Sequence, residues 1–173
     1  MNEIDRLNAG NERYRETGDA ARRFDTAQNG QHPYAIVICC LDSRVIPEQI
    51  FDARIGDLFV IRIAGNVLDR HQLGSVEYAA AHLKSKLVVM LGHTGCGAIG
   101  AALTGDADGY IQDLVDEIQL AIGTERDPLT ATRRNVLYGV ERLKREFSEH
   151  SQMRDVSVRG AVYDIRTGAV EWL

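Results

Sequence analysis

The feature that most constrains the fold is an unbroken run of eight apolar residues at positions 34–41, rich in β-branched side chains. Apolar runs without polar alternation are typical of strands buried on both faces of a parallel sheet. Two further segments, residues 58–63 and 86–91, are apolar except for Arg62 and Lys86, and segments of helical character separate the three. The sequence therefore predicts a βαβαβ core with parallel strands.

Helical patterns continue after the third strand, and the chain ends differently. The last predicted helix, residues 130–149, carries a single apolar stripe formed by Val136, Val140, Leu143 and Phe147. Apolar segments at 156–165 and 169–173 flank a turn and predict a hairpin. The complete prediction is an α/β fold: a mostly parallel β-sheet with helices on both faces and an antiparallel edge hairpin at the C-terminus. The other predicted helices are residues 47–53, 73–83, from about 96 onward, and 110–122.

Residues 1–30 form a predicted N-terminal helical arm. Ile4, Leu7 and Tyr14 recur at roughly helical spacing in a segment that is otherwise polar. These apolar residues are too few to form a core, so we expect the arm to lean on another surface. A length of 173 residues suits one compact domain, and we predict a single domain over residues 1–173 that includes the arm.

Composition excludes several classes of function. A net charge of −5 argues against broad binding of nucleic acid or anionic lipid. The longest apolar run is too short to cross a bilayer, and the polar N-terminus has no signal-peptide core. Three cysteines, two of them adjacent, do not form a disulfide framework. We therefore expect a reducing, cytoplasmic location and no nucleic-acid or membrane partner.

Chemically active residues gather where two of the predicted strands end. Cys40, Asp42 and Arg44 end the first strand, and His93 and Cys96 follow the third. Because the carboxyl ends of parallel strands meet at one edge of a sheet, we expect these side chains to lie close together. This edge is where open α/β sheets bind ligands.

Cys40, His93 and Cys96 are a plausible ligand set for zinc, which prefers thiolate and imidazole in tetrahedral geometry. The predicted helix that begins near Cys96 favours the thiolate form of that residue. The fourth ligand could be the Asp42 carboxylate or a water molecule, and these residues leave that choice open. Alternation along the strand points Cys39 to the opposite side, so we assign it to the core.

A competing motif overlaps this site. Residues 95–100 match G-x-G-x-x-G after a strand and at the start of a helix, as in dinucleotide-binding folds. The acidic residue that should follow about 20 positions later, at the end of a next strand, is missing, since Asp113 and Asp116 fall inside a predicted helix. This pattern does not favour a nucleotide site.

The C-x-D-S-R motif at residues 40–44 and the H-x-x-C-G motif at 93–97 resemble the signature of the β-class carbonic anhydrases. The resemblance extends over nearly the whole chain, because further motifs of that family match in order. These motifs lie at residues 7–14, 31–33, 56–62, 64–66, 77–79, 160–164 and 167–168.

The resemblance implies a zinc lyase that hydrates carbon dioxide reversibly to bicarbonate and a proton, by attack of zinc-bound hydroxide. Cys40, His93 and Cys96 would bind Zn²⁺, with Asp42 as a fourth ligand only in a closed state. Asp42 and Arg44 would form a gating pair in which Arg44 draws the carboxylate off the metal. Gln31 and the Gly97 N–H would bind bicarbonate. The family is built from homodimers or dimers of dimers, in which the arm wraps the partner.

The chain departs from the usual pattern of the family at four positions. Cys39 and Leu41 flank the first ligand in place of smaller residues, and Ile63 stands in place of asparagine. Leu41 is expected to narrow the pocket. Val37 replaces a tryptophan found in members with a regulatory bicarbonate site, so we expect no such site. Two alternatives stay open: a carbon disulfide or carbonyl sulfide hydrolase on the same fold, and a non-catalytic zinc protein that senses bicarbonate.

Overall fold

The computed structural model of the chain describes residues 1–150 and 153–173. These residues form two compact units, 1–31 and 32–173. The first unit holds helices α1 (Glu3–Thr17) and α2 (Ala20–Asn29). The elements of the second unit are, in chain order, β1 (Ala35–Cys39), α3 (Pro47–Ile50), β2 (Leu58–Arg62), a 3₁₀ turn (Ala64–Asn66), α4 (Arg70–His82), β3 (Leu87–His93), α5 (Gly97–Thr104), α6 (Ile111–Ile122), α7 (Pro128–Glu149), β4 (Ser157–Tyr163) and β5 (Val170–Trp172).

The five strands form one sheet in the order β2-β1-β3-β4-β5. Strands β2, β1, β3 and β4 are mutually parallel, and β5 pairs antiparallel with β4. The predicted α/β fold with an antiparallel C-terminal edge is therefore confirmed. All five residues of β1 are buried, as the unbroken apolar run indicated.

Helices cover both faces of this sheet. One face packs Ile36, Ile38 and Met90 against α4 and α7, and the predicted stripe of α7 from Val136 to Phe147 lies in this cluster. The opposite face packs Val37, Cys39 and Leu91 together with Ile50 of α3. The alternation within β1 thus sends consecutive residues into two separate cores.

A third apolar cluster lies at the carboxyl edge of the sheet, where α5 and α6 pack together. Ile99 of α5 and Ile118 of α6 are almost fully buried there. The same cluster includes Cys40 and Cys96. The predicted metal ligands therefore lie within a packed apolar environment rather than on an open loop.

Strand β3 continues two residues beyond the predicted end, and Gly92 explains why. A Cβ at this position would lie 2.6 Å from Val136 Cγ2 and 3.1 Å from Thr132 Cγ2 of α7. The missing side chain lets α7 pack closely on the strand, and pairing with β4 continues as far as His93 and Tyr163. His93 is thus held in the sheet instead of on the loop after it.

Replacing Gly92 with alanine should destabilise the protein by about 1–3 kcal/mol, the usual range for overpacking a filled core. Urea unfolding of the variant measures this change. The matched control is Gly74→Ala on α4, where no described atom lies within 4 Å of the added Cβ. That control should gain about 0.5–1 kcal/mol from helix propensity. Equal free energies of unfolding for the two variants would contradict the close packing at Gly92.

The N-terminal unit is helical, as predicted, but it consists of two helices. Asn2 and Asp5 form a capping box at the start of α1, and Asp19 caps α2. Each residue of the two helices is exposed or half-buried. The assignment of the arm and the rest of the chain to one domain stays a prediction.

In the part of the chain that the structure describes, no helix combines the length and apolar character needed to cross a membrane.

Candidate metal centre

Cys40, His93 and Cys96 meet at the carboxyl edge of the sheet, as the order of the strands requires. Cys40 directly follows β1, His93 ends the neighbouring β3, and Cys96 immediately precedes α5. The two sulfurs lie 3.9 Å apart. One ligand atom from each of the three residues lies within 4.8 Å of the other two. All three residues are at least nine-tenths buried.

The tautomer of His93 prepares this residue to bind a metal. Its Nδ1 lies 3.0 Å from the carbonyl oxygen of Thr94, so Nδ1–H donates to that oxygen. The lone pair of Nε2 is then free and belongs to the same cluster as the sulfurs. Among the described residues, this Nε2 is a fully buried polar atom without a hydrogen-bond partner of ordinary geometry. A buried nitrogen in this state needs a partner, and a metal ion would supply it.

The donor set fits zinc in both chemistry and size. Two thiolates and one imidazole are common zinc ligands, and Zn–S distances of about 2.3 Å in tetrahedral geometry place the sulfurs about 3.8 Å apart. The observed separation of 3.9 Å agrees with that value. Three protein ligands leave one tetrahedral position for a fourth ligand.

A single hydrogen bond joins the thiol groups of Cys40 and Cys96. The hydrogen bond from Cys96 lowers the pKa of Cys40 below its usual range, although burial opposes this shift. The same hydrogen bond, together with burial, raises the pKa of Cys96 well above its usual range. The α5 N-terminus favours a Cys96 thiolate, as expected, but the Cys40 thiolate outweighs it. Burial lowers the pKa of His93, but the Cys40 thiolate beside it raises this pKa overall.

Asp42 and Arg44 form a bidentate ion pair beside the cysteine–histidine cluster. Arg44 Nε and Nη2 donate to the two oxygens of the carboxylate at 2.9 and 2.7 Å. The backbone N–H of Arg44 donates to the same carboxylate at 2.9 Å. These hydrogen bonds hold the pKa of Asp42 far below its ordinary value, so the carboxylate stays ionised.

Arg62 stabilises the loop that carries this ion pair, a role that the sequence did not predict. Its Nη2 donates to the backbone carbonyl of Asp42 at 2.7 Å and, at 3.4 Å, to that of Leu41. Arg62 ends β2, in register with Cys39 at the end of β1. Neither residue type nor spacing in the sequence signals this role, because Arg62 contacts backbone carbonyls that any residue could supply.

The residues that depart from the usual pattern of the family have different surroundings. Cys39 is fully buried in the sheet core, as predicted, and burial raises its pKa to about 12. Val37 is buried in the same cluster, and Ile63 packs against the cluster around Cys40. Leu41 was expected to narrow the pocket, but its side chain is 59% exposed in this chain.

The two predicted bicarbonate-binding residues belong to different units of the chain. Gln31 is exposed and ends the N-terminal unit, so its predicted role stays a prediction. Gly97 is the exposed first residue of α5, directly after Cys96. N–H groups in the first turn of a helix have no acceptor within the helix, which is consistent with the role predicted for this glycine.

Comparison with known proteins places this site in a family. Residues 35–170 match the family model described as carbonic anhydrase. Carbonic anhydrase 2 of Mycobacterium tuberculosis is 48% identical over 94 residues, which are 51% of this chain and 45% of the relative. In this match the chain therefore spans about half the length of the curated relative.

Solved structures of related proteins match a larger part of this chain than the curated relative does. The β-carbonic anhydrase CafA of Aspergillus fumigatus superposes with a TM-score of 0.88 at 27% identity, covering 99% of this chain and 91% of that one. One of two tetrameric β-carbonic anhydrases from Sordaria macrospora gives 0.81 at 25% identity, covering 98% and 94%. The Cys40–His93–Cys96 cluster is the zinc site of such enzymes. Fold, ligand set and family model agree, and the chain belongs to the β-class carbonic anhydrase family.

Proposed function

We propose that this protein is a zinc-dependent carbonic anhydrase that interconverts carbon dioxide and bicarbonate with release of a proton. One observation carries the proposal: two buried sulfurs and the Nε2 of His93, which has no hydrogen-bond partner among the described residues, converge beside a carboxylate that Arg44 holds. Three protein ligands leave one tetrahedral position for an exchangeable fourth ligand, which is the arrangement of catalytic zinc centres.

Zinc held by Cys40, His93 and Cys96 would lower the pKa of a coordinated water and so supply a nucleophile near neutral pH. The protein supplies the surroundings of that reaction. Apolar side chains pack around the two cysteines, among them Ile99 and Val67, and they suit a small neutral substrate such as carbon dioxide. The bidentate pair with Arg44 keeps the Asp42 carboxylate charged and engaged away from the ligand cluster.

Asp42 and Arg44 are proposed to gate the fourth position. While the pair is formed, the position is open to water. If the pair breaks, Asp42 can take the position and close the site. The formed pair in this structure favours catalysis over the alternative of a bicarbonate sensor, since a permanently closed site needs no residue to draw Asp42 away.

The product is proposed to be held by two further groups. The N–H of Gly97 at the start of α5 can donate to bicarbonate, and the dipole of the helix N-terminus favours an anion. Gln31 is proposed to add a side-chain contact to bicarbonate across a subunit boundary. A cytoplasmic location is also inferred, because the free thiols of Cys39, Cys40 and Cys96 suit a reducing compartment.

The rate of carbon dioxide hydration should rise from pH 6 towards pH 9. Two thiolates donate more electron density to the metal than histidines do, so the pKa of the attacking water should lie above that in a three-histidine site. Initial rates in buffers of constant ionic strength measure this profile. A flat profile between pH 6 and 9 would count against the proposal, and preferential turnover of carbonyl sulfide would favour the sulfur-substrate alternative.

The chain is proposed to assemble as a homodimer or a dimer of dimers through its N-terminal arm. Leu7 on α1 and Phe24 on α2 are 69% and 71% exposed, and Ile4 is 65% exposed. Large apolar side chains in this state need a partner surface. The description of related enzymes from Sordaria macrospora as tetrameric supports assembly of this kind.

The double variant Leu7→Glu/Phe24→Glu should be monomeric, because assembly would bury the two new charges at the contact. Size-exclusion chromatography with light scattering gives the molar mass directly. The matched control is Asn8→Glu, which adds a charge at an exposed polar position of the same helix and should leave the mass unchanged. An unchanged mass in the double variant would contradict assembly through the arm.

A further inference from the structure

Thr94 directly follows the metal ligand His93 and is hydrogen-bonded through its carbonyl, its N–H and its side chain. The carbonyl oxygen accepts from Nδ1–H of the His93 ring at 3.0 Å. The N–H donates at 3.0 Å to the carbonyl oxygen of Tyr163, the last residue of β4. The hydroxyl oxygen accepts from the backbone N–H of Ile165 at 3.2 Å, across 71 positions of sequence. Thr94 therefore connects the ring of a metal ligand to the segment between β4 and β5.

The carbonyl that holds the His93 ring belongs to the peptide between Thr94 and Gly95. Gly95 has a φ of +67°, and a Cβ there would make only an ordinary contact, 3.6 Å from Ile165 Cδ1. Because glycine populates a wide range of φ, the Gly95 side of this peptide restrains its direction weakly. The restraint comes from the other side, where the N–H and the hydroxyl of Thr94 are both bonded. Without the hydroxyl bond, Thr94 could pivot about the one that remains.

The segment that donates to the Thr94 hydroxyl is itself held by a hydrogen-bonded turn. The Asp164 carboxylate accepts from the backbone N–H groups of Arg166 and Thr167 at 2.8 and 3.2 Å. The backbone N–H of Asp164 donates to the carbonyl oxygen of Ala169 at 2.8 Å. These bonds surround Ile165, so its N–H is presented to Thr94 from a fixed position.

We propose that Thr94 is a positioning residue of the metal centre: its hydroxyl restrains the peptide that holds the His93 ring and so directs Nε2 towards the sulfurs of Cys40 and Cys96. The inference rests on the zinc site of the proposed function, although not on turnover. Groups that accept the second ring N–H of a metal-binding histidine orient the ring, and their loss typically lowers metal affinity or activity about 10- to 100-fold.

The test compares Thr94→Val with Thr167→Val in the full-length protein. Thr167 lies in the same segment between β4 and β5, and its hydroxyl also accepts a backbone N–H, that of Ala169 at 3.3 Å. Both substitutions thus remove a threonine hydroxyl that accepts a backbone N–H, but only Thr94 is bonded to His93. Thr94→Ser keeps the hydroxyl and is the conservative variant. Thr94→Ala repeats the comparison if the valine variant does not fold.

Two readouts report on the His93 ring. Chelator competition measures zinc affinity. NMR of the zinc-loaded protein, labelled with ¹⁵N-histidine, measures how fast the ring Nδ1–H exchanges with water. The other four histidines are exposed, so their ring protons exchange rapidly and the slowly exchanging signal belongs to His93; these four are His32, His71, His82 and His150.

In Thr94→Val, we expect zinc affinity to fall by about tenfold and the Nδ1–H of His93 to exchange at least about tenfold faster. Thr94→Ser and Thr167→Val should match the wild type in both readouts. The inference is overturned if Thr94→Val keeps the wild-type value in either readout, or if one of the other two variants changes as much as it does. Neither readout uses carbon dioxide, so a wild-type protein that binds zinc without hydrating carbon dioxide would refute the proposed activity and not this inference.

Discussion

Replacement of Cys40 with alanine should leave the protein unable to retain zinc and should lower kcat/KM for carbon dioxide hydration by at least about 10³-fold. The magnitude follows because loss of a Lewis acid removes several kcal/mol of transition-state stabilisation, and about 1.4 kcal/mol corresponds to a factor of ten. Metal analysis after dialysis and stopped-flow hydration measure the two effects. A variant that kept both zinc and full activity would refute the assignment of Cys40 as a ligand.

The adjacent cysteine provides the matched control. Cys39 is as deeply buried as Cys40, but it lies in the sheet core on the opposite side of the strand. Cys39→Ala should therefore keep the zinc content and the rate, while a small cavity lowers the free energy of unfolding by about 1 kcal/mol. Comparison of the two variants separates loss of a ligand from loss of a buried sulfur.

Replacing Arg44 with glutamine should lower kcat/KM by about 10²-fold, with Arg44→Lys causing a smaller loss. The change removes two charge-assisted hydrogen bonds to Asp42 and leaves the carboxylate free to occupy the fourth position of zinc. Stopped-flow kinetics measure the rate, and titration of the cobalt-substituted protein with azide measures access to the metal. Azide should bind the glutamine variant at least about tenfold more weakly than the wild type.

The pKa of Asp42 determines the pH dependence expected for the Arg44→Gln variant. Arg44 lowers that pKa, so the ion pair is fully formed above the ordinary aspartate value and is lost only as the pH falls through the lowered one. Without Arg44 the pKa rises, but the carboxylate is still ionised near neutrality. The rate deficit should therefore persist from pH 6 to 9.

Removal of the carboxylate provides the decisive control for gating. The double variant Asp42→Ala/Arg44→Gln should regain the azide binding that Arg44→Gln loses, because no carboxylate then competes for the fourth position. If Arg44→Gln binds azide as the wild type does, or if the double variant stays blocked, Asp42 does not close the site.

Strands β1, β2 and β3 of the parallel core could be predicted from sequence because each is a largely apolar segment of strand length. Strand ends were less certain. Gly92 is a poor strand residue in isolation, and only the close approach of Val136 shows why β3 continues to His93. That contact joins residues far apart in the chain, which no local pattern encodes.

The metal cluster was predictable for a related reason. Sequence spacing and sheet topology together bring Cys40, His93 and Cys96 to one edge. The supporting role of Arg62 was not predictable in the same way. Arg62 acts through backbone carbonyls, so neither its residue type nor its spacing indicates the partner. The role of Gln31 stays a prediction.

Stopped-flow hydration of carbon dioxide at mildly alkaline pH is the most direct test of the central claim. The zinc-loaded protein, the same protein after zinc removal by a chelator, and a sample with zinc restored are measured side by side. The proposed function predicts rapid hydration that is lost with zinc and recovered with it. A folded, fully zinc-loaded protein that hydrates carbon dioxide no faster than buffer would contradict the assignment.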